Sequence, residues 1–182
     1  MREPQYAVVA YVKNAVGAFV EELRQELYPE HAYLPAHLTM LPPRQLLGGE
    51  GEAVEALQRL CREVEPFEVV IGQAASFAPV TPTVFLQIEH GAYRMRELHD
   101  RLNTALFQQD EPWPYMPHLT IVKMADLPQA AAAFAATEQR WAAYEGSRRI
   151  LVDRLTFVRE GAANRWLDLA PVRLGRAVSS PK

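Results

Sequence analysis

The chain is poor in cysteine, in long apolar runs and in basic surplus, and each shortage excludes something. With one cysteine among 182 residues there is no internal disulfide. Cys61 falls in the series Val54, Leu57, Leu60, Cys61, Val64, whose three-and-four spacing predicts the buried stripe of a helix. A reducing, cytoplasmic setting is expected, with Cys61 a core residue. No apolar run approaches the ~20 residues of a membrane span, and the opening Met1-Arg2-Glu3-Pro4 carries no apolar signal region. Nineteen Lys and Arg against 22 Asp and Glu leave a net charge of −3, which argues against an extended nucleic-acid footprint but not against binding one phosphate. There is no His-Glu-x-x-His element, cysteine pair or Asp cluster to supply metal-ligand spacing, so neither a metal nor another cofactor is expected. Disorder is excluded by a 49% apolar content, and a 20.6 kDa chain buries roughly 70% of its unfolded surface, enough for a core shared by two small lobes.

The charge is uneven. Residues 146–182 hold eight Lys and Arg and three Asp and Glu, a net of +5, leaving −8 on residues 1–145. This segment carries Arg148, Arg149, Arg159 and Arg165, any of which can meet a phosphate or ribose; a solvated strand face explains them equally well.

Periodicity gives the elements. Residues 5–13 are β-branched and aromatic and predict a strand. Asn14 can cap a helix carrying Val16, Phe19, Val20, Leu23 and Leu27 as far as Pro29. A short strand over 36–41, closed by Pro42-Pro43, precedes the Cys61 helix, which stops at Pro66. Strands 67–76 and 83–89 read as a hairpin. A helix over 92–109, a strand over 118–124 and an alanine-rich helix over 127–143 follow, then a second hairpin of strands 149–159 and 165–173. Because the strands bunch in pairs, an α+β fold of two similar lobes is expected rather than a doubly wound sheet. No linker separates the halves, so residues 1–182 are read as one domain.

One string occurs twice: Pro35-Ala36-His37-Leu38-Thr39-Met40 and Met116-Pro117-His118-Leu119-Thr120-Ile121. With five His and seven Thr, His-x-Thr is expected by chance about 0.2 times, so two copies in matching strands are a signal. In a strand, residues two apart share a face, so His37 projects with Thr39 and His118 with Thr120, while Leu38 and Leu119 point the other way. Two imidazoles and two hydroxyls converging on one cleft suit a phosphodiester. One imidazole takes a proton from the nucleophile, the other gives one to the leaving oxygen, and the hydroxyls hydrogen-bond the non-bridging oxygens.

Two His-x-Thr-x elements on strands, in a chain of this length, resemble the two-histidine (2H) phosphoesterase superfamily, specifically its bacterial 2′-5′ RNA ligase-like and cyclic phosphodiesterase branch. The similarity of element order covers roughly residues 5–173. It implies a bilobal, pseudo-twofold fold: two antiparallel-rich sheets, helices outside, and a central cleft carrying both motifs. It also implies that His37 and His118 are catalytic acid and base and that Thr39 and Thr120 bind phosphate. The implied activity is metal-independent hydrolysis of 2′,3′-cyclic or related phosphates on nucleotides or RNA ends, reversible in some members as 2′-5′ ligation. A catalytically weak nucleotide- or RNA-end-binding module of the same fold is the alternative. The partner is then a nucleotide cyclic phosphate or an RNA terminus, bound by a monomer.

Around the motifs, His118 is chosen as the base that activates water, because the aromatic loop and Lys123 flank it. Lys123 is a candidate phosphate ligand, yet in an ideal strand it shares the parity of Leu119 and Ile121 and reaches the cleft only if the strand ends or twists. Trp113 and Tyr115 are candidates for base stacking, against the plainer reading that their Pro-rich loop packs on its own lobe. His31, His90 and His99 lack a Thr two residues on and are read as structural.

Overall fold

The computed structural model describes residues 3–176; Met1 and Arg2 of the opening tetrapeptide and residues 177–182 of the basic segment, Lys182 included, lie outside the described residues. The elements are β1 (Tyr6–Tyr11), α1 (Ala15–Leu27), β2 (His37–Arg44), α2 (Glu50–Arg62), β3 (Phe67–Ser76), β4 (Thr83–His90), α3 (Ala92–Leu102), β5 (His118–Lys123), α4 (Leu127–Ala142), β6 (Arg149–Val152), β7 (Arg154–Glu160) and β8 (Trp166–Arg173). Asn14 does cap α1, its side-chain oxygen accepting from the Val16 and Gly17 amides at 3.1 and 3.3 Å. Gly17 lets that helix start tight against β1, since a Cβ there would sit 1.8 Å from the Val12 carbonyl oxygen.

The fold is α+β, and the two expected sheets are halves of one. All eight strands run antiparallel in the order β6-β3-β4-β5-β2-β1-β7-β8, and the halves meet where Leu38 of β2 pairs with Leu119 of β5. This sheet must curl. On a flat sheet β6 and β7 would stand six spacings apart, roughly 29 Å. Only Asp153 separates them in the chain, and one residue reaches about 3.5 Å.

Helices cover the convex face. In the middle they cross over, α1 packing on β5 and α3 on β2, while α4 covers β3 and β4 and α2 covers β8. A pseudo-twofold axis between Leu38 and Leu119 thus relates β2 to β5, β1 to β4 and α1 to α3. The core between sheet and helices includes Leu38, Met40, Leu57, Met95, Leu98, Leu119 and Ile121, each at most 1% exposed. Cys61 belongs to it, and burial pushes its thiol up to about 12. The concave face carries a separate cluster, Ala7, Val9 and Val158, with Tyr11 and Trp166 against it. No helix among the described residues is long and apolar enough to cross a membrane.

Three boundaries depart from the periodicity. First, β2 runs through Pro42-Pro43 to Arg44, because its pairing with β5 has already ended and β1 pairs irregularly there, so the missing proline donors cost no ladder bond. Second, α3 stops at Leu102 rather than continuing to 109, because Asn103 turns the chain back, its side chain bonding the Gln109 amide and carbonyl at 2.9 and 3.1 Å. Third, the expected strand 149–159 breaks at Asp153 into β6 and β7, which pair with β3 and β1 in opposite halves.

Candidate active site

His37 opens β2 and His118 opens β5. Antiparallel pairing of Leu38 with Leu119 sets His37 opposite Thr120 and Thr39 opposite His118, all on the concave face because both leucines are buried in the convex core. Directly opposed side chains on such a face start roughly 5 Å apart, and diagonal ones, here the two histidines, roughly 7–8 Å.

Each motif carries a bulge at the same place. Val9 pairs with Thr39 but Val8 with Leu41, leaving Met40 as the extra residue; Phe85 pairs with Thr120 but Val84 with Val122, leaving Ile121. Both extra residues are fully buried. The bulge resets parity, so Lys123 turns out of the core, is exposed and lines the cleft. After Thr39 the cleft wall carries Pro43 instead.

Each imidazole makes one internal bond, of the same kind in both motifs. His37 Nδ1 lies 2.8 Å from the Pro35 carbonyl oxygen and His118 Nδ1 2.7 Å from the Met116 carbonyl oxygen. A carbonyl only accepts, so each Nδ1 carries the proton and each Nε2 is left free for chemistry. Burial pushes both rings below their ordinary range near ~6.5; for His37 the Arg24 guanidinium and His118 add to the shift, and its bond to Pro35 opposes it. The two sites differ in their walls. His118 meets Phe77 and Phe85 edge-on, at ring separations of 5.1 and 5.3 Å, whereas His37 opens onto the cleft.

Arg24 has no counterpart in the sequence reading. Only 4% exposed, it extends from α1 to donate to the Ile121 carbonyl (Nε, 2.7 Å), the Thr120 carbonyl (Nη2, 3.0 Å) and the Leu34 carbonyl. Its position, four residues after Val20 and eight after Val16, was the available signal: a charge on the helix's buried face. Tyr115 departs from the base-stacking expectation, because its ring lies flat on the His99 imidazole at 4.1 Å and its hydroxyl donates to the Thr39 carbonyl at 2.8 Å. His99 is buried and bonds Glu111 at 2.9 Å, and Glu111 in turn pairs with the buried Arg44, consistent with a structural role. Trp113 stands 70% exposed on the same loop.

A cleft of about 800 Å³ extends from these motifs over the β2-β1-β7-β8 half. His37, Thr39, Thr120 and Lys123 line one end; Tyr33, Arg165, Trp166 and Asp168 line the rest, over a floor of Ala7, Val9 and Val158. His118 stands just outside it, across the strand from Thr39. Of the four arginines flagged, Arg165 reaches the cleft, its guanidinium 5.6 Å above the Tyr33 ring, while Arg149 pairs with Glu68, Arg159 with Glu50, and Arg148 lies over Trp141. Among the described residues no three His, Cys, Asp or Glu side chains gather as a metal site.

A curled antiparallel sheet carrying two symmetry-related His-x-Thr pairs at its centre defines a two-histidine phosphoesterase. The chain belongs to the 2′-5′ RNA ligase superfamily, whose family model matches residues 12–164. A Halalkalibacterium halodurans protein provisionally named a phosphoesterase is 24% identical over 173 residues, covering 94% of this chain and 98% of that one. E. coli LigT complexed with ATP superposes with a TM-score of 0.60 at 17% identity, covering 95% of this chain and 99% of that one, and its complex with 3′-AMP gives 0.58 at 16%, covering 96% and 99%. TT0787 of Thermus thermophilus gives 0.60 at 15%, covering 95% and 100%. At these identities the structural likeness is one of fold.

Proposed function

We propose that the protein hydrolyses 2′,3′-cyclic or related cyclic phosphates of nucleotides or RNA ends, without metal, using His37 and His118 as acid and base. The observation that carries this reading is the matched pair of free Nε2 atoms on one face, each beside the other motif's threonine. Nε2 of His118 takes a proton from water as the water oxygen bonds to phosphorus. His37, as imidazolium, returns a proton to the ribose oxygen as its P–O bond breaks, leaving a phosphomonoester. Thr39, Thr120 and Lys123 hold the non-bridging oxygens. The cleft supports this direction: the nucleoside lies over the half lined by Tyr33, Arg165 and Trp166, on the His37 side, and water enters at His118. The complexes of LigT with ATP and 3′-AMP agree with a nucleotide as ligand. With the 5′-hydroxyl of a second RNA end in place of water, His118 takes its proton as its oxygen bonds to phosphorus and His37 protonates the departing 3′-oxygen, which is 2′-5′ ligation; in the reverse cleavage the two groups exchange roles.

Incubation with a panel of 2′,3′-cyclic mononucleotides and an RNA bearing a cyclic end, followed by phosphorus NMR, identifies substrate and product. His37→Ala and His118→Ala are each expected to lower kcat by about 10²–10⁴-fold, and a substrate with a better leaving group rescues only His37→Ala. Chelation by EDTA leaves turnover unchanged. Full activity in either variant overturns the mechanism, and binding of a 2′-phosphate without turnover by the unmodified protein indicates the binding module instead.

A further inference from the structure

We propose that Arg24 and Tyr115 are positioning residues that hold the two His-x-Thr pairs at a fixed separation, each supplied by the half of the sequence that carries the other motif. The inference rests on the catalytic reading above and concerns what keeps its four groups in place.

The physical need is visible at the centre of the sheet. β2 and β5 are joined by a single residue pair, Leu38 with Leu119, and each strand bulges at the residue after its threonine. Two bulges flanking one paired position interrupt the ladder where the reacting groups must be most rigid. Backbone carbonyls at such a break need other donors. The threonine carbonyls find them symmetrically. Tyr115, three residues before His118, donates its hydroxyl to the Thr39 carbonyl at 2.8 Å. Arg24, in the helix that precedes His37, donates to the Thr120 carbonyl at 3.0 Å and to the bulge residue Ile121 at 2.7 Å. The clamp is therefore crosswise, and moving either half drags the other half's threonine with it.

Both donors are themselves fixed. Tyr115 is stacked on His99, which is bonded to Glu111, which pairs with buried Arg44. Arg24 has its third bond to the Leu34 carbonyl, just ahead of Pro35, whose own carbonyl orients His37. One guanidinium thus ties the approach to the first histidine to the threonine of the second motif. It also places a fixed positive charge in the cleft wall, near His37.

Three variants test this. Tyr115→Phe removes only the hydroxyl; Arg24→Lys keeps the charge but not the planar fork; Arg24→Met removes both. With a 2′,3′-cyclic mononucleotide, Tyr115→Phe and Arg24→Lys are each expected to lower kcat about 10–100-fold while KM changes less than about threefold, the signature of misplaced reacting groups. Tyr115→Phe leaves the pH profile where it was. Arg24→Met moves the alkaline limb of kcat/KM, set by His37 as the imidazolium acid, to higher pH, because His37 loses a repelling cation, whereas Arg24→Lys leaves that limb in place. NMR titration of the His37 ring in the same variants reads the shift without any turnover, so a failed catalytic reading, exposed by an active His37→Ala, is distinguishable from a failed clamp. Wild-type kcat in both Tyr115→Phe and Arg24→Lys, or a His37 titration unmoved in Arg24→Met, overturns the proposal. If Arg24→Met does not fold, the other two variants decide it by kcat.

Discussion

At the residue scale the two histidines are alike in what they bond and unlike in what surrounds them. Each gives Nδ1–H to a carbonyl two residues back, and each is pushed by burial toward its neutral form. That depression has a consequence for stability. Between the ordinary histidine value of about 6.5 and the lowered folded values, the unfolded chain binds protons that the folded chain refuses, so stability rises with pH in that window and falls on acidification through it. Melting temperature measured from pH 7.5 down to 5 is therefore expected to drop more steeply for the unmodified protein than for the double variant His37→Gln, His118→Gln; equal slopes would show that these rings do not carry the effect. The phosphodiester of the proposed reaction would act in the opposite sense, since its negative charge favours the imidazolium form, protonated from solvent, that the acid needs. The histidines and threonines were legible because two-residue spacing in a strand forces a common face. Arg24 and Tyr115 were not, because their work is done on backbone carbonyls brought near by β5 and β2, and no sequence spacing records that.

At the scale of elements, the hydrophobic periods placed every strand and helix that positions the site, including both hairpins and the Asn14 cap. They could not show breaks made by tertiary partners. α3 ends early because Asn103 bonds back to Gln109, although Leu106 continues the apolar pattern, and a single strand becomes β6 and β7 because its two parts pair at different ends of the sheet. The bulge after each threonine is the most consequential feature hidden from strict alternation. By inserting Ile121 it swings Lys123 from the core parity to the cleft. Replacing Lys123 with Met is accordingly expected to raise KM for a cyclic nucleotide about tenfold, the scale of one charge-assisted hydrogen bond, with kcat little changed. An unaltered KM would mean that the ammonium stays in solvent beside the cleft and binds nothing.

For the whole molecule, the strand order says how the halves depend on each other. β3 leaves the first part of the sequence to pair with β4 and β6, while β7 and β8, from the chain's end, complete the half built on β1 and β2. Helices α1 and α3 each pack on the central strand of the opposite half. The β6-β3-β4-β5 half is one continuous stretch set between the two pieces of the other half, and each half's central strand is covered by a helix of the opposite half, so neither keeps its packing once the other has unfolded. Unfolding should then be one cooperative transition. The tryptophans supply separate probes: Trp141 on α4 bonds the Gly72 carbonyl of β3 at 2.7 Å, and Trp166 opens β8 at the other end of the sheet. In variants retaining only Trp141 or only Trp166, urea titrations followed by fluorescence are expected to give the same midpoint and the same slope once each variant's own stability is matched by circular dichroism. Midpoints that separate from the dichroism curve in one variant and not the other would mean that one end of the sheet opens alone. A site assembled from both halves would then be lost before the fold is.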